Sequence, residues 1–535
     1  MSRAPARGPR PGRSSAGERS QTQARRPQRE RAARRQVPPA RTRRGSSTGV
    51  RAVLGRVPAA AWTCALIALL NATAWSIVTP PFQGKDEVDH FAYVAHLAET
   101  GTLPKNGGEA SPYSPEQSLV MQALDYYEVR FSPATPAIST AAQQRTLLRD
   151  VHAGASIAGG GSAGIATTEP PLYYALQVIP YALGGSNILA QLQLMRLFSA
   201  LLGALTVVLI FLFLREALPG VPWAATVGAV CVALQPLFGF MSGSVNPDTL
   251  LYTVAAALFL CLARAFRRGL TPRLALALGL LTAAGFLTKL NFAGLAFGVF
   301  AGIAVLSVRE ARSRGREQAL RSLALAAGIG VAPLLLYVLR NVLSHQPAFG
   351  VAAGIPGVLA VKSLFHELSY VWQVYLPRLP GMTRYFAGIA TYKDVWFDRL
   401  VGQYGWMDTV FPGWVDNVAL VPAGLIGLFC GRELYVRRAA LRARLPELGV
   451  YTLMTVGVLV LVGLSSYQTD VLGHELAFGE TRYLLPMLPL LGAVIVLAVR
   501  GAGRRWAPVV GAALVVLFLG HDIFSQLQTI ARYYG

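Results

Sequence analysis

Apolar runs of about 20 residues recur along this chain, and they constrain its fold more than any other feature. A run of that length spans a hydrocarbon core of ~30 Å as a single helix. Of the 535 residues, 53% are hydrophobic and only 14% are charged. The sequence therefore predicts an all-α polytopic membrane protein, a bundle of about eleven transmembrane helices. The predicted spans are 58–78, 193–214, 222–241, 247–266, 272–288, 290–308, 320–340, 418–431, 448–466, 483–499 and 507–520.

Most of the net charge of +22 comes from the first 57 residues, which hold sixteen arginines and two glutamates. This segment is rich in Arg, Pro, Ser and Gly, and it has too few apolar residues to bury a core. We predict that 1–57 is a disordered cytoplasmic tail that fixes the topology and touches anionic lipid. RNA binding is the alternative, but no aromatic residues interleave the arginines, so we expect no nucleic-acid partner. Residues 58–535 then form the transmembrane domain.

Arginine decides the orientation of the predicted spans. With eleven spans and an inner N-terminus, the inner loops contain the arginine clusters at 264–273, 309–321, 432–444 and 500–505. This agrees with the excess of Arg and Lys in cytoplasmic loops. Counting the short apolar segment 171–183 as a span would move every cluster outside. We therefore expect that segment to be re-entrant or interfacial, and the C-terminus to lie outside.

Two large loops then face away from the cytoplasm, 79–192 and 341–417. We expect the first loop to contain juxtamembrane helices. The protein is predicted to be a multi-pass protein of the plasma membrane with an extracytoplasmic site.

Ionisable groups gather at the outer ends of the spans, and no Asp, Glu, Lys or His lies in the middle of a predicted span. The densest group is in GKDEVDH, after the first span, with Asp86, Glu87, Asp89 and His90. Ion-coupled transporters place such groups near the midplane instead. Acids and bases at one membrane depth suit a reaction between a water-side acceptor and a lipid-side phosphate. The other candidates at this depth are Glu169, Arg196, Asn246, Asp248, Lys289, Arg340 and Arg482.

Each of these residues also has a structural explanation. Asp86 could cap the helix that begins near Glu87, and Asp248 could cap the span that follows Pro247. Lys289 could extend its ammonium group toward the interface, and Arg340 and Arg482 could be interfacial anchors.

A Cys/His metal site is not indicated by the spacing of these residues, and we predict no metal site and no cofactor. The GKDEVDH cluster leaves a divalent ion possible, with Asp86, Glu87, Asp89 and His90 as its ligands.

Several motifs occur in the order found in the GT-C superfamily of integral-membrane glycosyltransferases, which the chain resembles. An Asp-Glu pair opens a juxtamembrane helix in DEVDHFAYVAHLAETGTLP, and Pro-Pro-Leu follows in EPPLYYAL. A span beginning MRLFSALLGAL comes next, then NPD at an outer span end and RYLLPMLPLL at the start of a late span. Within the superfamily the chain is similar to protein O-mannosyltransferases, lipid A aminoarabinose transferases and related bacterial membrane proteins.

The resemblance implies that a sugar passes, with inversion, from a polyprenyl-phosphate donor to an extracytoplasmic acceptor hydroxyl of a glycan, lipid or protein. Asp86, the first acid of the pair, would be the catalytic base, and Glu87 would orient or tune it. The leaving phosphate needs cations, and the candidates are Lys289, Arg482, Arg340 and Arg196. Substrate contacts would come from Asp89, His90, Glu169, Asn246 and Asp248. Glu169 stands where several relatives have a basic residue or His, and a carboxylate there suits sugar hydroxyls or an acceptor amine.

Two other classes of function remain open. One is a transporter or flippase of a lipid-linked intermediate, and the other is a non-catalytic protein that binds such lipids in the cell envelope. The acid pair Asp86 and Glu87 discriminates between a flippase and a transferase, because a flippase has little use for two adjacent carboxylates at one surface, while a transferase has a use for them.

Overall fold

The structure is a computed structural model, and it describes residues 57–104, 113–135, 140–153, 164–345, 361–385, 393–467 and 480–535. The predicted disordered tail, 1–57, lies outside the described residues except for Val57. Parts of both predicted large loops also lie outside them.

The chain is built almost entirely from helices. In the first half they are α1 (Ala59–Val78), α2 (Glu87–Thr100), α3 (Pro115–Ala123), α4 (Tyr126–Val129), α5 (Ala141–His152), α6 (Leu172–Leu183), α7 (Ile188–Ala217), α8 (Pro222–Ala233), α9 (Pro236–Ser242) and α10 (Asp248–Arg268). In the second half they are α11 (Pro272–Thr288), α12 (Phe292–Arg314), α13 (Arg316–Leu343), α14 (Val361–Tyr375), α15 (Arg399–Gly402), α16 (Gly413–Val436), α17 (Arg438–Arg442), α18 (Leu445–Tyr467), α19 (Leu488–Gly501) and α20 (Gly503–Tyr534).

Short irregular elements complete the described fold. Two 3₁₀ helices cover Gly164–Thr168 and Thr481–Met487, and one π-helical turn covers Lys393–Asp398. Strands β1 (Gln403–Tyr404) and β2 (Thr409–Val410) pair antiparallel, with Gln403 opposite Val410 and Tyr404 opposite Thr409. The sequence did not predict this hairpin, because each strand has only two residues.

The prediction of an all-α polytopic membrane protein is confirmed. Each of the eleven predicted spans lies on helical structure, and nine helices of the described chain are long and apolar enough to cross a membrane. The bent pair α8 and α9 brings this number to ten. Helix α11 is also apolar but has only 17 residues. The segment 171–183 forms α6, whose 12 residues reach roughly 18 Å and are too short for a span.

The predicted continuous span 222–241 is broken, which corrects the sequence interpretation. Helices α8 and α9 meet at an angle of 63°. Pro236 cannot continue the hydrogen-bond ladder of α8, and the side chain of Gln235 accepts from the backbone N–H of Phe238 to start α9. Every residue of α9 is buried, so this short helix packs within the protein between α1 and the segments around the site.

The last span is longer than the predicted 507–520, and its additional residues contain a buried carboxylate. Helix α20 runs to Tyr534, and Asp522 on it is 3% exposed. Its Oδ1 accepts from Trp75 Nε1 at 3.0 Å and from Asn71 Nδ2 at 3.2 Å. These bonds join α20 to α1, so Asp522 has a packing role.

Small residues let the helices approach closely. A Cβ added at Gly294 of α12 would lie 2.9 Å from the carbonyl oxygen of Gly457 in α18, and one at Gly457 would clash with Gly294. Close backbone contact of this kind is how apolar helices gain packing energy in lipid.

The two ends of the helices differ in chemistry. Helix α10 begins at Asp248 and has Arg267 near its other end, and these residues are 19 positions or ~28 Å apart. We call the two ends of the bundle the Asp86 end, where Asp248 lies, and the arginine end, where Arg267 lies. The separation matches the thickness of a hydrocarbon core.

The predicted orientation can be tested by cysteine labelling. The native Cys64, Cys231 and Cys430 are buried and Cys261 is half-buried, so background reaction should be low. Exposed Ala142, in the first loop, and exposed Ala440, in α17, are suitable sites for single Ala→Cys variants. In intact cells a membrane-impermeant maleimide should label Ala142→Cys only, and Ala440→Cys should react after permeabilisation. The reverse pattern would contradict the predicted orientation.

Candidate functional site

A buried ion pair fixes the start of α2 beside the membrane-spanning bundle. Arg196 of α7 donates to both carboxylate oxygens of Glu87, at 2.8 and 2.5 Å. It also donates to the backbone carbonyls of Ser76, Thr79 and Pro80. These contacts use all five N–H donors of the guanidinium. Glu87 is 0% exposed and Arg196 is 2% exposed.

Glu87 also accepts from the backbone N–H of Val245 at 2.9 Å. It therefore ties α2 to the segment before α10. The geometry gives Arg196 a scaffold position and leaves it no donor for a ligand.

Asp86 stands immediately before α2 and does not cap it, since its side chain accepts no capping bond. Its backbone is left-handed, with φ 54°, a conformation that Asp tolerates better than most residues. The carboxylate instead pairs with Arg482 Nη2 at 2.5 Å. Burial opposes ionisation, but Arg482 and Lys85 outweigh it and hold the pKa of Asp86 well below its usual range. The capping explanation for Asp86 is therefore wrong.

Asp86 belongs to a continuous network of ion pairs. Arg482 Nε lies 2.6 Å from Glu480 and 3.9 Å from Asp248. Lys289 Nζ lies 2.8 Å from Asp248 and 3.9 Å from Glu169. We call the following residues the charged cluster: Lys85, Asp86, Glu169, Asp248, Lys289, Glu480 and Arg482.

Local structure explains how distant parts of the chain meet here. Asn246 accepts from the backbone N–H of Asp248 at 2.9 Å and donates to the carbonyl of Lys85 at 3.0 Å. Asn246 thus joins the first loop to the start of α10. Lys289 is the extended residue that ends α11, and Arg482 lies in the 3₁₀ helix that leads into α19.

His90, Asp248 and Arg482 have four buried polar atoms without a hydrogen-bond partner among the described residues. They are Nε2 of His90, Oδ2 of Asp248, and Nε and Nη1 of Arg482, of which Nε lies in the ion pair with Glu480. Buried polar groups are nearly always satisfied in proteins, by protein or by ligand and water. Because these atoms belong to residues that interact with one another electrostatically, they indicate a place for a polar ligand.

His90 and Asp89 flank the cluster. His90 Nδ1 lies 2.9 Å from the hydroxyl of Tyr174. Burial lowers the pKa of His90 to about 3, against the opposing effect of Asp86. Asp89 accepts from the hydroxyl of Tyr113 at 3.0 Å, and burial raises its pKa to about 7 although this bond opposes the shift.

The candidates from the sequence fall into three groups. Asp86, Glu169, Asp248, Lys289 and Arg482 are brought together in the charged cluster. Glu87, Arg196 and Asn246 hold the backbone beside the cluster in place. Asp89 and His90 flank the cluster. Arg340 is exposed, and its Nη1 donates to Asn341 at 3.1 Å. It joins no ion pair of the charged cluster, although its charge acts on Tyr93 and Tyr337 nearby.

Sequence reasoning missed two members of the cluster, Lys85 and Glu480. They form an ion pair of 3.0 Å with each other. Lys85 stands in GKDEVDH directly beside Asp86, and Glu480 stands two positions before Arg482, which opens RYLLPMLPLL. That adjacency was the available signal.

The suggested divalent-ion site at GKDEVDH does not form a ligand set. Its side chains point to separate partners, with Glu87 on Arg196, Asp89 on Tyr113 and His90 on Tyr174. Within the described ranges no group of three or more His, Cys, Asp or Glu residues is arranged to hold a metal ion. The charges that face Asp86 are those of Lys and Arg.

Two small cavities adjoin the cluster. One, of about 30 Å³, is lined by Lys85, Arg399, Glu480 and Arg482, together with residues of α9 and the β-hairpin. The other is largely apolar and lies between α10, α12, α18 and the 3₁₀ helix, next to Asp248 and Tyr483. The site therefore has a polar side and an apolar side.

The Glu87–Arg196 pair should be essential for stability. Glu87→Gln leaves a buried guanidinium without its counter-charge, which costs about 3–5 kcal/mol, so the thermal unfolding midpoint should fall clearly. Glu317→Gln is a matched control, since its partner Arg321 and Glu317 are 72% and 79% exposed and such pairs contribute about 0–1 kcal/mol. Equal midpoints for the two variants would contradict this role.

Asp89 should make stability depend on pH. Its pKa rises from the ordinary 3.8 to about 7 on folding, so the folded protein binds an extra proton between these values. The stabilisation is complete below pH ~4 and is lost as the pH rises through ~7. The thermal unfolding midpoint of the wild type should fall, relative to that of Asp89→Asn, as the pH rises from ~4 to ~7. Equal pH dependence of the two midpoints would contradict the raised pKa of Asp89.

Comparisons with known proteins give a family and distant structural similarities. No curated protein matches the sequence. Three solved structures of the Archaeoglobus fulgidus oligosaccharyltransferase are similar to this chain. The apo form is 12% identical, with 88% of this chain and 56% of that chain covered and a TM-score of 0.39. The complex with an inhibitory peptide and a dolichol-phosphate is 13% identical, with 89% and 56% covered and a TM-score of 0.41.

The third oligosaccharyltransferase structure, tethered to an acceptor peptide, is 11% identical to this chain. The match covers 88% of this chain and 55% of that chain, with a TM-score of 0.37. The chain thus spans little more than half the length of these structures. A family model described as "Predicted membrane protein (DUF2142)" matches residues 69–491, which include α2 and every residue of the charged cluster. The chain belongs to this family of predicted membrane proteins.

Proposed function

We propose that this protein is a membrane glycosyltransferase of the GT-C type. It moves a sugar from a polyprenyl-phosphate donor to a hydroxyl of an extracytoplasmic glycan, lipid or protein acceptor, with inversion at the anomeric carbon. Asp86 is the general base. The site lies at the outer face of the plasma membrane.

One observation supports this proposal above the others. The carboxylate of Asp86 lies beside Arg482, whose Nη1 has no hydrogen-bond partner among the described residues, at the end of a membrane-spanning bundle. A base next to an incomplete cation site is what transfer from a phosphate leaving group requires.

Arg482 and Lys289 are the residues proposed to hold the donor phosphate. The guanidinium of Arg482 contacts three carboxylates, and its Nη1 has no hydrogen-bond partner among the described residues. Lys289 approaches the same Asp248 from the other side. Arg340 is exposed and joins no ion pair of the charged cluster, while Arg196 has the supporting role described above.

Donor binding would also activate Asp86. In the free protein Arg482 holds the pKa of Asp86 low, which keeps the carboxylate ionised but makes it a weak base. A phosphate that shares Arg482 offsets its positive charge and weakens the Arg482–Asp86 attraction. The pKa of Asp86 would then rise toward its ordinary value, and the carboxylate would become a stronger base when the donor is present.

The acceptor oxygen forms a bond to the anomeric carbon while the bond from that carbon to the phosphate oxygen breaks. The hydroxyl proton passes to Asp86, and the electron pair leaves with the polyprenyl phosphate, whose charge Arg482 and Lys289 stabilise. Attack from the side opposite the phosphate gives inversion.

The remaining candidates have positioning roles in this proposal. Glu87 holds the backbone next to Asp86, and Asn246 fixes both Lys85 and Asp248 through hydrogen bonds. Asp89, His90 and Glu169 lie toward the first loop and would contact the acceptor or the sugar. The polyprenyl chain of the donor would lie along lipid-facing helices.

A transfer assay with matched Asp variants tests the base. The full-length protein in detergent would be given a panel of radiolabelled polyprenyl-phosphate hexoses and envelope membranes as acceptor. Asp86→Asn should reduce transfer about 10²–10⁴-fold, the usual contribution of a general base.

Asp125→Asn is the control, because Asp125 also stands in a left-handed conformation directly before a helix without capping it, yet it is exposed and outside the cluster. Its transfer should match the wild type. Equal transfer by Asp86→Asn and the wild type would remove Asp86 as the base.

A further inference from the structure

A cavity lies at the arginine end, opposite the proposed active site. It has a volume of about 240 Å³. It is lined by Arg267 at the end of α10, Arg309 of α12 and Arg444 before α18, with Phe266, Pro219 and Pro446 as apolar wall residues. The proposed function uses none of these residues.

Two of the three arginines are held by protein groups. Arg444 pairs with both oxygens of Glu447, at 2.9 and 2.7 Å, and donates to the carbonyl of Ala217 at the end of α7. Arg267 donates to the backbone carbonyl of Glu216 and lies 3.6 Å from its carboxylate. These contacts hold both guanidinium groups at the cavity wall.

Arg309 differs from these two. Its guanidinium lies 5.9 Å from the ring centre of Phe266, and within the described part of the chain it forms no ion pair and donates no hydrogen bond. It is exposed, so an incoming anion can reach it. A guanidinium with free donors at a cavity wall is suited to bind a phosphate through two hydrogen bonds.

The surroundings favour an anion as well. The carboxylate of Glu216 contacts three arginines, since Arg264 and Arg268 lie within 4 Å of it as well as Arg267. The charged residues that line the cavity, together with Glu216 and the other arginines that contact it, are five arginines and two glutamates, which leaves an excess of three positive charges.

We propose that this cavity is a binding site for a phosphate group, with Arg309 as its principal contact and a phospholipid headgroup as its source. The lipid source follows from position and composition. The cavity lies ~28 Å from Asp248 along α10, where the headgroups of the opposite leaflet would be. Its apolar wall can contact the glycerol and the first acyl carbons, which a free phosphate lacks.

Native mass spectrometry of the full-length protein tests the site and its source. In one arm phosphatidylglycerol is added to the detergent-solubilised protein, and in the other inorganic phosphate, with phosphatidylcholine as the zwitterionic comparison. The wild type should retain phosphatidylglycerol in preference to phosphatidylcholine. Arg309→Ala should weaken retention about tenfold, as expected for loss of one charge-assisted contact.

Arg312→Ala is the matched control, an exposed arginine three residues further along α12 that does not line the cavity, and it should behave as the wild type. Arg309→Lys keeps the positive charge but lacks the two parallel N–H donors of the guanidinium. If Arg309→Ala fails to fold, Arg309→Lys serves in its place and should retain part of the binding. Arg309-dependent binding of inorganic phosphate but not of the lipid would keep the phosphate site and assign it a soluble source. Binding that Arg309 does not affect in either arm would overturn the proposal.

Discussion

The buried pair of Glu87 and Arg196 is the interaction on which the site depends. A guanidinium inside a protein is costly unless every donor is used, and here all five are. The partners come from the end of α1, the turn after it, the start of α2 and, through Val245, the segment before α10. One ion pair therefore holds in place the strained residue next to it, Asp86, which faces Arg482.

Pairing of opposite charges explains why the cluster can exist at a membrane surface. Its three cations, Lys85, Lys289 and Arg482, each touch at least one of its four carboxylates. A paired but under-coordinated network can exchange partners without leaving a buried charge unpaired. An entering phosphate would replace a carboxylate at Arg482, so ligand binding and the basicity of Asp86 are linked in the proposed mechanism. The phosphate site proposed at Arg309 differs, because there an unpaired cation is kept accessible at the opposite surface.

Much of the fold could be predicted from sequence because membrane helices follow from hydropathy and length. The charge pattern likewise placed Asp86, Asp248, Lys289 and Arg482 at one depth before any contact was known. The break between α8 and α9 was missed because both halves are apolar, and only Pro236 and the polar Gln235 mark it. Asp522 was missed because the hydropathy window ended before the helix did.

The role of each residue in the site was harder to predict than which residues form the site. Arg196 and Arg482 read alike in the sequence, each beginning an apolar span near the same surface. Their difference lies in the number of donors already used, which depends on carbonyls that only the folded turn at 76–80 brings together. Lys85 and Glu480 were overlooked for the same reason, since an ion pair across nearly 400 positions leaves no local pattern.

The central claim is that Arg482 and Lys289 receive the donor phosphate beside Asp86. An experimental structure of the full-length protein with a bound polyprenyl phosphate tests it most directly. We expect phosphate oxygens at hydrogen-bond distance, about 3 Å, from Arg482 Nη1 and Lys289 Nζ, with the polyprenyl chain leaving past Asp248 toward lipid. A phosphate bound at another surface, with the Arg482–Asp86 pair intact and unoccupied, would contradict it.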